Sequence, residues 1–452
     1  MSNTVITRFP PSPTGLLHVG SARTALFNYL FAKHYNGKMV LRMEDTDKER
    51  SKREYEEDIL AGLKWLGINW EGDLQRQSER SDIYKKHLLE LIDSGLAYEA
   101  EENKDKTARV IRFKNPNKEI SFNDLIRGEI KVDTSDLGDF VIARSVDDPL
   151  YHLAVVVDDY DMGITHILRG EDGISNTPRQ ILLQQALGFE SPQYAHIPFI
   201  LAPDKSKLSK RHGAVSVLEY KKMGYLPEAM VNFLAMLGWR SKDNDERELW
   251  SIDELVESFD LAGIQKAGAV FNEEKLRWIN REYLRNLESD EFYAAVLEFA
   301  GPSLKERLSD DKVKEALAYD LKERIYVYAD ISELEKQGEF DWILKSADEL
   351  DYDPSELIWK KSDKETAIKH LQKLINILCD SKLTTLTVDG VEEMIMPYAE
   401  TEGKGDVLWP LRYALSGQKR SPNPFVLLAA LGQDEACMRL HKAIDALANL
   451  RA

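Results

Sequence analysis

The chain has 452 residues, of which 43% are hydrophobic and 31% are charged, and its formal net charge is −18. These values are typical of a globular protein with several domains, and they exclude a disordered chain. The acidic balance argues against a generally basic nucleic-acid-binding surface, although a local basic face suffices to bind nucleic acid.

The sequence carries no sign of a membrane segment or a secreted protein. No apolar stretch approaches the length of a membrane span, and the first residues lack the basic and apolar segments of a signal peptide. Its two cysteines, Cys379 and Cys437, give neither a disulfide framework nor a paired zinc motif. We therefore expect a cytoplasmic protein.

The first forty residues predict a strand, a loop and a helix. The run at 5–9 is rich in strand formers, Gly15 and Gly20 follow it, and apolar residues then recur at helical spacing from Ala22 onward. Amides at a helix start, together with the positive end of the helix dipole, favour phosphate. His18 at this turn is placed to donate a hydrogen bond to a phosphate oxygen. The alternative is an ordinary strand-to-helix loop.

Residues 39–43 alternate as a second strand and end in a carboxylate cluster, 44–47. Such a cluster at a strand end suits the ligand crevice of a parallel α/β sheet, and we expect Glu44 to face the substrate. Alternatively, Asp47 or Ser51 only caps the helix that follows. Residues 51–96 predict two helices.

Further along, the predicted elements alternate and then become helical. Residues 97–136 are expected to form a short polar connection, and strands are predicted at 141–144, 151–157 and 165–169. A helix should begin at Thr177. This alternation predicts a doubly wound parallel sheet. Residues 301–452 predict helices throughout, separated by breakers at Pro354, Pro397, Pro410, Pro422 and Pro424.

A second motif changes the interpretation of the first. Residues 207–211, Lys-Leu-Ser-Lys-Arg, would alone be a solvated basic loop. Together with residues 11–21, they resemble the two signature motifs of class I aminoacyl-tRNA synthetases. The longer string 7–28, with Glu44-Asp-Thr-Asp47, Arg169-Gly-Glu-Asp172 and Asn176-Thr-Pro-Arg179, resembles the bacterial type of glutamyl-tRNA synthetase.

The resemblance implies an architecture. The fold would be α/β, with a Rossmann-like doubly wound parallel-sheet catalytic domain followed by an all-α anticodon-binding domain. The implied parts are the two halves of the catalytic domain at 1–96 and 137–240, a short acceptor-binding insertion at 97–136, a stem-contact region at 241–300 and the helical anticodon-binding domain at 301–452.

The resemblance also implies an activity, in which ATP with Mg²⁺ activates L-glutamate and the product is transferred to tRNA(Glu). His18, Lys207 and Lys210 would be catalytic, and the ATP-binding set would be Thr14, Gly15, His18, Gly20, Asp172, Leu208, Ser209 and Lys210. We expect a monomer. We expect no zinc, because residues 97–136 hold neither cysteine nor histidine.

Selecting glutamate requires a site for its second carboxylate, and the planar guanidinium of arginine suits this role. Arg8 and Arg169 are the candidates. By resemblance, Tyr151 would join them, while Pro10, Ser12 and Glu44 would hold the α-amino group. The alternative is that both arginines form structural ion pairs with Glu44 or Glu171.

This chain departs from the family at three positions. Ser21 stands where histidine is common, Val155 where some relatives have asparagine, and Gly173 where a bulkier residue is frequent near the nucleotide. In the helical half, the resemblance makes Arg412 and Arg324 candidate readers of anticodon bases. Alternatively, they pair with acids such as Asp406 or Glu323.

Three other functions remain to be compared with this one. They are an enzyme that glutamylates a modified tRNA base, a small-molecule nucleotidyltransferase and a non-catalytic tRNA-binding scaffold. The first would lack the helical half, the second the glutamate-site residues, and the third would tolerate the loss of His18, Glu44 or Lys210.

Overall fold

The computed structural model describes residues 4–101, 109–208, 216–242, 246–360, 362–380 and 386–450. The chain forms two compact units, Met1–Ile279 and Asn280–Ala452. Ser209 and Lys210, both predicted to bind ATP, lie outside the described residues.

The strands of the described residues belong to the first unit. They are β1 Ile6–Phe9, β2 Lys38–Met43, β3 Gln75–Arg76, β4 Ala97–Glu101, β5 Arg109–Phe113, β6 Glu119–Asp124, β7 Gly128–Asp133, β8 Phe140–Ser145, β9 Asp148–Pro149, β10 His166–Gly170, β11 Gln193–Ile197, β12 Ile200–Leu201 and β13 Ala269–Val270.

The helices of the first unit are α1 Val19–His34, α2 Arg53–Trp65, α3 Ser81–Asp93, α4 Tyr151–Asp161, α5 Thr177–Leu187, α6 Val217–Lys222, α7 Pro227–Met236 and α8 Ile252–Ser258, and α9 Glu273–Asn286 spans the division. The second unit contains α10 Ser289–Phe299, α11 Pro302–Arg307, α12 Asp311–Arg324, α13 Ala329–Lys336, α14 Asp341–Leu344, α15 Lys364–Asp380, α16 Val388–Glu402, α17 Lys404–Ser416 and α18 Pro424–Ala448.

A parallel arrangement of strands forms the centre of the first unit. β1, β2 and β3 pair in parallel, as do β10, β11 and β6, with β7 antiparallel at the edge. The two groups meet where the amide of Thr165 donates to the carbonyl of Ile6 at 3.0 Å. The predicted α/β class with a parallel sheet is confirmed.

The first helix is apolar around most of its circumference, and its packing explains why. α1 contacts β1, β2 and β10 on one side and α7 and α8 on the other. Ala22, Ala25, Leu26 and Leu30 have no exposed surface. A helix covered on both sides has no need of a continuous polar face. This packing fixes the start of α1, and therefore the loop before it.

The strand predicted at 151–157 is wrong, because these residues form helix α4. Residues Leu153 to Asp159 are all buried, so the run is apolar regardless of secondary structure. A short apolar run fits a buried strand or a buried helix equally well, and periodicity cannot separate them. Tyr151 therefore stands in the first turn of a helix.

The prediction of a polar connection at 97–136 is also wrong, because these residues contain the four strands β4 to β7. β4 pairs antiparallel with β5, and β6 pairs antiparallel with β7. These strands are short and carry charged side chains on their exposed faces, so the alternation of apolar and polar residues that marks a strand was not recognised. The β6–β7 hairpin also extends the parallel sheet, since Asp124 pairs with Tyr194 of β11.

The second unit is helical in its described part, as predicted. Two of the predicted breakers are wrong, because Pro397 and Pro410 lie inside α16 and α17. Both helices pack against α18, and tertiary packing of this kind is the main source of helix stability in proteins. Within the described ranges, no helix is both long and apolar enough to cross a membrane.

Candidate active site

The loop before α1 is held by a histidine cap and by the end of β2. His18 is the N-cap of α1, and its Nδ1 accepts from the amides of Gly20 and Ser21 at 3.1 and 3.2 Å. Because Nδ1 accepts, the ring proton of the neutral imidazole lies on Nε2, which is 3.1 Å from Oγ of Ser21. The amide of Glu44 donates to the carbonyl of Pro11 at 2.9 Å. His18 therefore presents a donor at an exposed turn.

Leu208, within the second motif, and Ser216, which follows it, contact different parts of the first unit. Leu208 donates through its amide to Ile200 of β12 at 2.9 Å. Ser216 pairs with His18 as an isolated antiparallel bridge, and the amide of Val217 donates to the carbonyl of Leu17 at 2.9 Å. Ser216 and Val217 thus lie beside the first motif.

Lys207 lies near Asp172, another residue predicted to take part in ATP binding. Its Nζ is 3.4 Å from Oδ2 of Asp172 and 4.0 Å from the ring centre of Phe199. Both charged side chains of the pair are largely exposed. Such an exposed pair is weak, so Lys207 can exchange Asp172 for a phosphate at little cost.

A buried network of charges lies at the carboxyl ends of β1 and β2. Asp159 of α4 accepts from Nε of Arg8 at 3.2 Å and from Nη1 of Arg42 at 2.8 Å. Arg42 also donates to Glu44 at 3.1 Å, and its Nε is 3.5 Å from Asp158. The structural ion pair considered for Arg8 is therefore present, but its partner is Asp159.

Burial and pairing act in opposite directions on these carboxyl groups. Burial raises the pKa of Glu44 above the usual value despite the neighbouring Arg42. Burial also acts to raise the pKa of Asp159, but Arg8 and Arg42 outweigh it and lower the pKa. The two arginines thus hold Asp159 as an anion, whereas burial disfavours the charged form of Glu44.

Arg8 retains donors that no protein group satisfies. Its Nη1 is buried and has no hydrogen-bond partner. A buried guanidinium donor without a partner is costly, so Nη1 of Arg8 is a candidate donor to a bound ligand or an ordered water. The ion pair with Asp159 occupies only Nε of this side chain.

Arg169, at the end of β10, is held by neutral acceptors. Its Nε donates to His196 at 3.1 Å, its Nη1 to Gln180 at 2.9 Å, and its Nη2 to Gly173 and Thr177 at 3.0 and 2.7 Å. Within the part of the chain that the structure describes, it forms no ion pair with a carboxylate. Burial lowers the pKa of Arg169, which reflects the cost of this uncompensated charge. The structural-ion-pair alternative therefore does not describe Arg169.

These groups converge on Tyr151. Burial, followed by the charge of Glu44, raises the pKa of its hydroxyl, whereas the nearby Arg169 and Arg8 lower it. Tyr151 lines a cavity of about 310 Å³, and the predicted residues Ser12, Thr14 and Glu44 line it too. Glu44 and Tyr151 thus line one cavity, and Arg8 and Arg169 lie close enough to Tyr151 for their charges to act on its hydroxyl.

Sequence reasoning missed the residues that support this cleft. Asp159 pairs with Arg8 and Arg42, and Arg42 also pairs with Glu44. The only sequence signal for these partners was the pair of aspartates at 158 and 159, at the end of the apolar run 151–157. His196, which accepts from Arg169, and Asp124, which contacts His196, are 72 residues apart and gave no local signal.

In the second unit, the two anticodon candidates differ. Arg324 donates to Asp320 and Glu339 at 3.0 and 2.8 Å, so it forms ion pairs, though not with the expected Glu323. Arg412 donates to the carbonyl of Lys419 at 2.9 Å and lies 4.7 Å from the ring centre of Trp409. No ion pair with Asp406 is found for Arg412 among the described residues.

The described residues contain no group of three or more His, Cys, Asp or Glu side chains that could hold a metal ion. Mg²⁺ that enters with a nucleotide is commonly held by phosphates and by one or two carboxylates. Such a mode does not need a preformed cluster.

Comparison with known proteins identifies the class first. Residues 4–109 and 101–278 match the model of the catalytic domain of class I tRNA synthetases (E and Q), and residues 291–444 match an anticodon-binding domain. The fold, the two motifs and these matches define a class I aminoacyl-tRNA synthetase.

The relatives are more specific. A glutamate–tRNA ligase of Nitratidesulfovibrio vulgaris is 40% identical over 477 residues, covering 98% of this chain and 100% of that protein. A glutamate–tRNA ligase of Aquifex aeolicus is 40% identical over 488 residues, covering 98% and 99%. The crystal structure of a glutamate tRNA ligase from Elizabethkingia meningosepticum in complex with its amino acid is 31% identical, with a TM-score of 0.83 over 98% of this chain and 100% of that one. The chain belongs to the glutamate–tRNA ligase family.

Proposed function

We propose that this chain activates L-glutamate with ATP, releases pyrophosphate, and transfers glutamate from the adenylate to the 3′ end of tRNA(Glu). The observation that carries the proposal is the convergence of Arg8, Arg169 and Glu44 around Tyr151. A substrate with two carboxylates and one ammonium complements two guanidinium groups and one carboxylate. The family membership of the whole chain supports the same reaction.

Each end of glutamate has a partner in this arrangement. Arg8 and Arg169, with the hydroxyl of Tyr151, bind the side-chain carboxylate. Glu44 and Ser12, with the backbone at Pro10, hold the α-amino group. Arg8 has a buried Nη1 without a partner. Arg169 uses four of its five N–H groups on the protein and keeps one on Nη1. The side-chain carboxylate therefore meets the open edge of Arg8 and a single N–H of Arg169.

Activation is an in-line attack of the α-carboxylate on the α-phosphorus of ATP, so the protein has to position two anions and neutralise charge. Thr14, Gly15 and Gly20 would line the nucleotide, with Asp172, Leu208 and Ser209 beside it. His18 donates from Nε2 to a phosphate oxygen, and Lys207 and Lys210 compensate charge on the leaving pyrophosphate. Mg²⁺ bound to the phosphates would supply further positive charge.

Pyrophosphate exchange with saturating tRNA(Glu) tests the amino-acid choice. Glutamate should support exchange, whereas aspartate is too short to reach both arginines and glutamine has no carboxylate there. We expect the kcat/KM of either analogue to be lower by about a thousandfold or more. Exchange that is equally fast with glutamine would contradict the roles of Arg8 and Arg169.

We predict that Lys210→Ala lowers the exchange rate far more than it weakens glutamate binding. Loss of a cation that acts on the transition state costs about 3 kcal/mol, roughly a hundredfold in kcat. Lys221→Ala, which removes an exposed lysine of α6, should leave the rate unchanged. Unchanged turnover of Lys210→Ala would remove this lysine from the reaction.

We predict that Arg412→Ala raises the KM for tRNA(Glu). Unstacked anticodon bases expose edges and faces, and a guanidinium can bind both. Its effect should shrink on a transcript in which the recognised base is altered, and Lys373→Ala, an exposed change on α15, should have no effect. An equal loss on matched and altered transcripts would indicate a phosphate contact instead. The ion pairs of Arg324 make it the weaker candidate.

We predict no stoichiometric zinc in the purified protein. Thiolate or imidazole ligation cannot occur within residues 97–136, which contain neither side chain. Elemental analysis after extensive dialysis should find well below one zinc per chain. One zinc per chain would show that residues elsewhere bind it.

The remaining parts of the proposal follow from the family. Residues 97–136 would receive the acceptor end of tRNA, residues 241–300 would contact its stem, and residues 301–452 its anticodon. The protein would act as a monomer in the cytoplasm. Sedimentation of the purified chain, alone and with tRNA(Glu), measures the first of these two properties.

A further inference from the structure

The proposed function gives Arg169 a substrate, but it does not explain what fixes the orientation of this side chain. Arg169 lies opposite His196 in the register of β10 and β11, and β11 in turn lies beside β6, which ends at Asp124. Asp124 itself pairs with Tyr194, two residues before His196, but its carboxylate reaches the His196 ring, so three neighbouring strands contribute one residue each to a row of contacting side chains. The row begins on the β6–β7 hairpin and ends at Arg169.

The hydrogen bonds along this row have only one consistent direction. Asp124 Oδ2 lies 2.6 Å from Nδ1 of His196, and an ionised carboxylate can only accept. Nδ1 therefore carries the proton. Because Nε of Arg169 can only donate, Nε2 of His196 has a lone pair and the ring is neutral, and burial lowers the pKa of His196 in agreement with this state. That lone pair accepts from Nε of Arg169 at 3.1 Å.

Asp124 is well placed to fix the ring in this state. Its carboxylate also accepts from the backbone amides of Ile126, Arg127 and His196 at 3.0, 2.8 and 3.0 Å. Burial alone would raise the pKa of Asp124, but these bonds and that from His196 lower it. Both Asp124 and His196 are almost fully buried. The pair is therefore rigid, ionised at Asp124 and neutral at His196.

A second contact restricts Arg169 from the opposite side. A Cβ atom at residue 173 would lie 2.4 Å from Nε of Arg169, so only glycine leaves room for the side chain in this position. The guanidinium is thus confined between Gly173 and His196. Gly173 stands where relatives often have a bulkier residue, and its lack of a side chain leaves room for Arg169 in this orientation.

We propose that Asp124 and His196 are positioning residues for glutamate recognition, which act by fixing the Nε edge of Arg169. His196 contacts Arg169, and Asp124 acts on Arg169 through His196. The inference rests on the proposed function, because Arg169 must bind the side-chain carboxylate for its orientation to matter. It makes the β6–β7 hairpin part of the amino-acid site.

Two substitutions of His196 separate this role from simple packing. The amide of His196→Gln places an oxygen near the position of Nε2, so it can still accept from Arg169. His196→Asn places its amide near Nδ1, so it keeps the donor to Asp124 and loses the acceptor. Loss of one charge-assisted hydrogen bond predicts an approximately tenfold rise in the KM for glutamate with His196→Asn, and a smaller rise with His196→Gln.

The measurement is pyrophosphate exchange with saturating tRNA(Glu), in which the KM values for glutamate and ATP are compared. Only the KM for glutamate should rise, and Asp124→Asn should behave like His196→Asn. In the background of Arg169→Gln, His196→Asn should add little, because it acts through Arg169. His166→Asn, which removes a histidine of β10 that does not contact Arg169, is the matched control.

Several results would overturn the proposal. One is an equal rise in the KM for glutamate with His196→Asn and His196→Gln. Another is a parallel rise in the KM values for glutamate and ATP that follows the loss of thermal stability. The third is full additivity of the effects of His196→Asn and Arg169→Gln. A wild-type protein without glutamate-dependent exchange would instead reject the proposed function. An active wild type with unaffected His196→Asn kinetics would reject only the positioning role.

Discussion

Arg169→Gln is expected to lower kcat/KM for glutamate by about a thousandfold, which corresponds to about 4 kcal/mol. Arg169 forms no ion pair with a carboxylate among the described residues, and burial opposes its charge. We therefore expect the substrate carboxylate to be its compensating anion. A neutral amide at this position can donate a hydrogen bond but cannot balance a carboxylate, so the preference for glutamate over glutamine should shrink as well.

The fold should survive this substitution, because four neutral acceptors around residue 169 can be partly satisfied by the new amide. The matched control is Arg53→Gln, at an exposed arginine of α2 whose side chain is 90% accessible. It should leave kinetics and melting temperature unchanged. If Arg169→Gln keeps both the KM for glutamate and the preference over glutamine, Arg169 has only a structural role.

The second large effect is expected from Asp159→Asn. Asp159 neutralises both Arg8 and Arg42, and all three side chains are almost fully buried. Removal of one partner from a buried ion pair leaves an uncompensated charge, at a cost of about 3–5 kcal/mol. Calorimetry should show a large drop in the melting temperature of the transition that belongs to the first unit.

Asp161→Asn on the same helix is the control. Asp161 pairs with Arg80, but half of its side chain is exposed, so the loss should be about 0–1 kcal/mol. Equal melting temperatures for the two variants would contradict the importance of the buried network.

The same pair of proteins gives a pH test. The pKa of Asp159 is lowered in the folded state, so its contribution to stability is complete above the ordinary aspartate pKa of about 4 and is lost as the pH falls through the folded value. The difference in stability between wild type and Asp159→Asn should therefore be constant near neutrality and shrink in acid. A difference that does not depend on pH would mean that the charge of Asp159 contributes nothing.

Sequence periodicity predicted the elements whose pattern is long or bounded by clear signals. α1 and α5 are examples, because helical spacing predicted α1, and α5 begins at the predicted residue, Thr177. It failed at α4, where an apolar run fits two structures, and at β4 to β7, where the strands are short. In each failure, tertiary burial decided the outcome, and a single sequence does not contain that information.

In the candidate site, too, some residues were predictable from the sequence and others only from the folded structure. Glu44 was predicted from its place after a strand, and Arg8 and Arg169 from charge chemistry together with the family motifs. Their supporting residues could not be predicted, because Asp159 and Asp124 reach them only through helix packing and strand register. The order β10, β11, β6 is not sequential, so adjacency of Asp124, His196 and Arg169 requires the folded sheet.

Aminoacylation of purified tRNA(Glu) with labelled glutamate and ATP tests the central claim most directly. We predict that label is attached to the 3′ end, so that periodate oxidation of the terminal diol beforehand abolishes it and mild alkali releases it. Parallel reactions with tRNA(Gln) show whether that tRNA is also charged. Label that withstands periodate treatment would indicate attachment to a tRNA base, and complete failure to label any tRNA would contradict the ligase function itself.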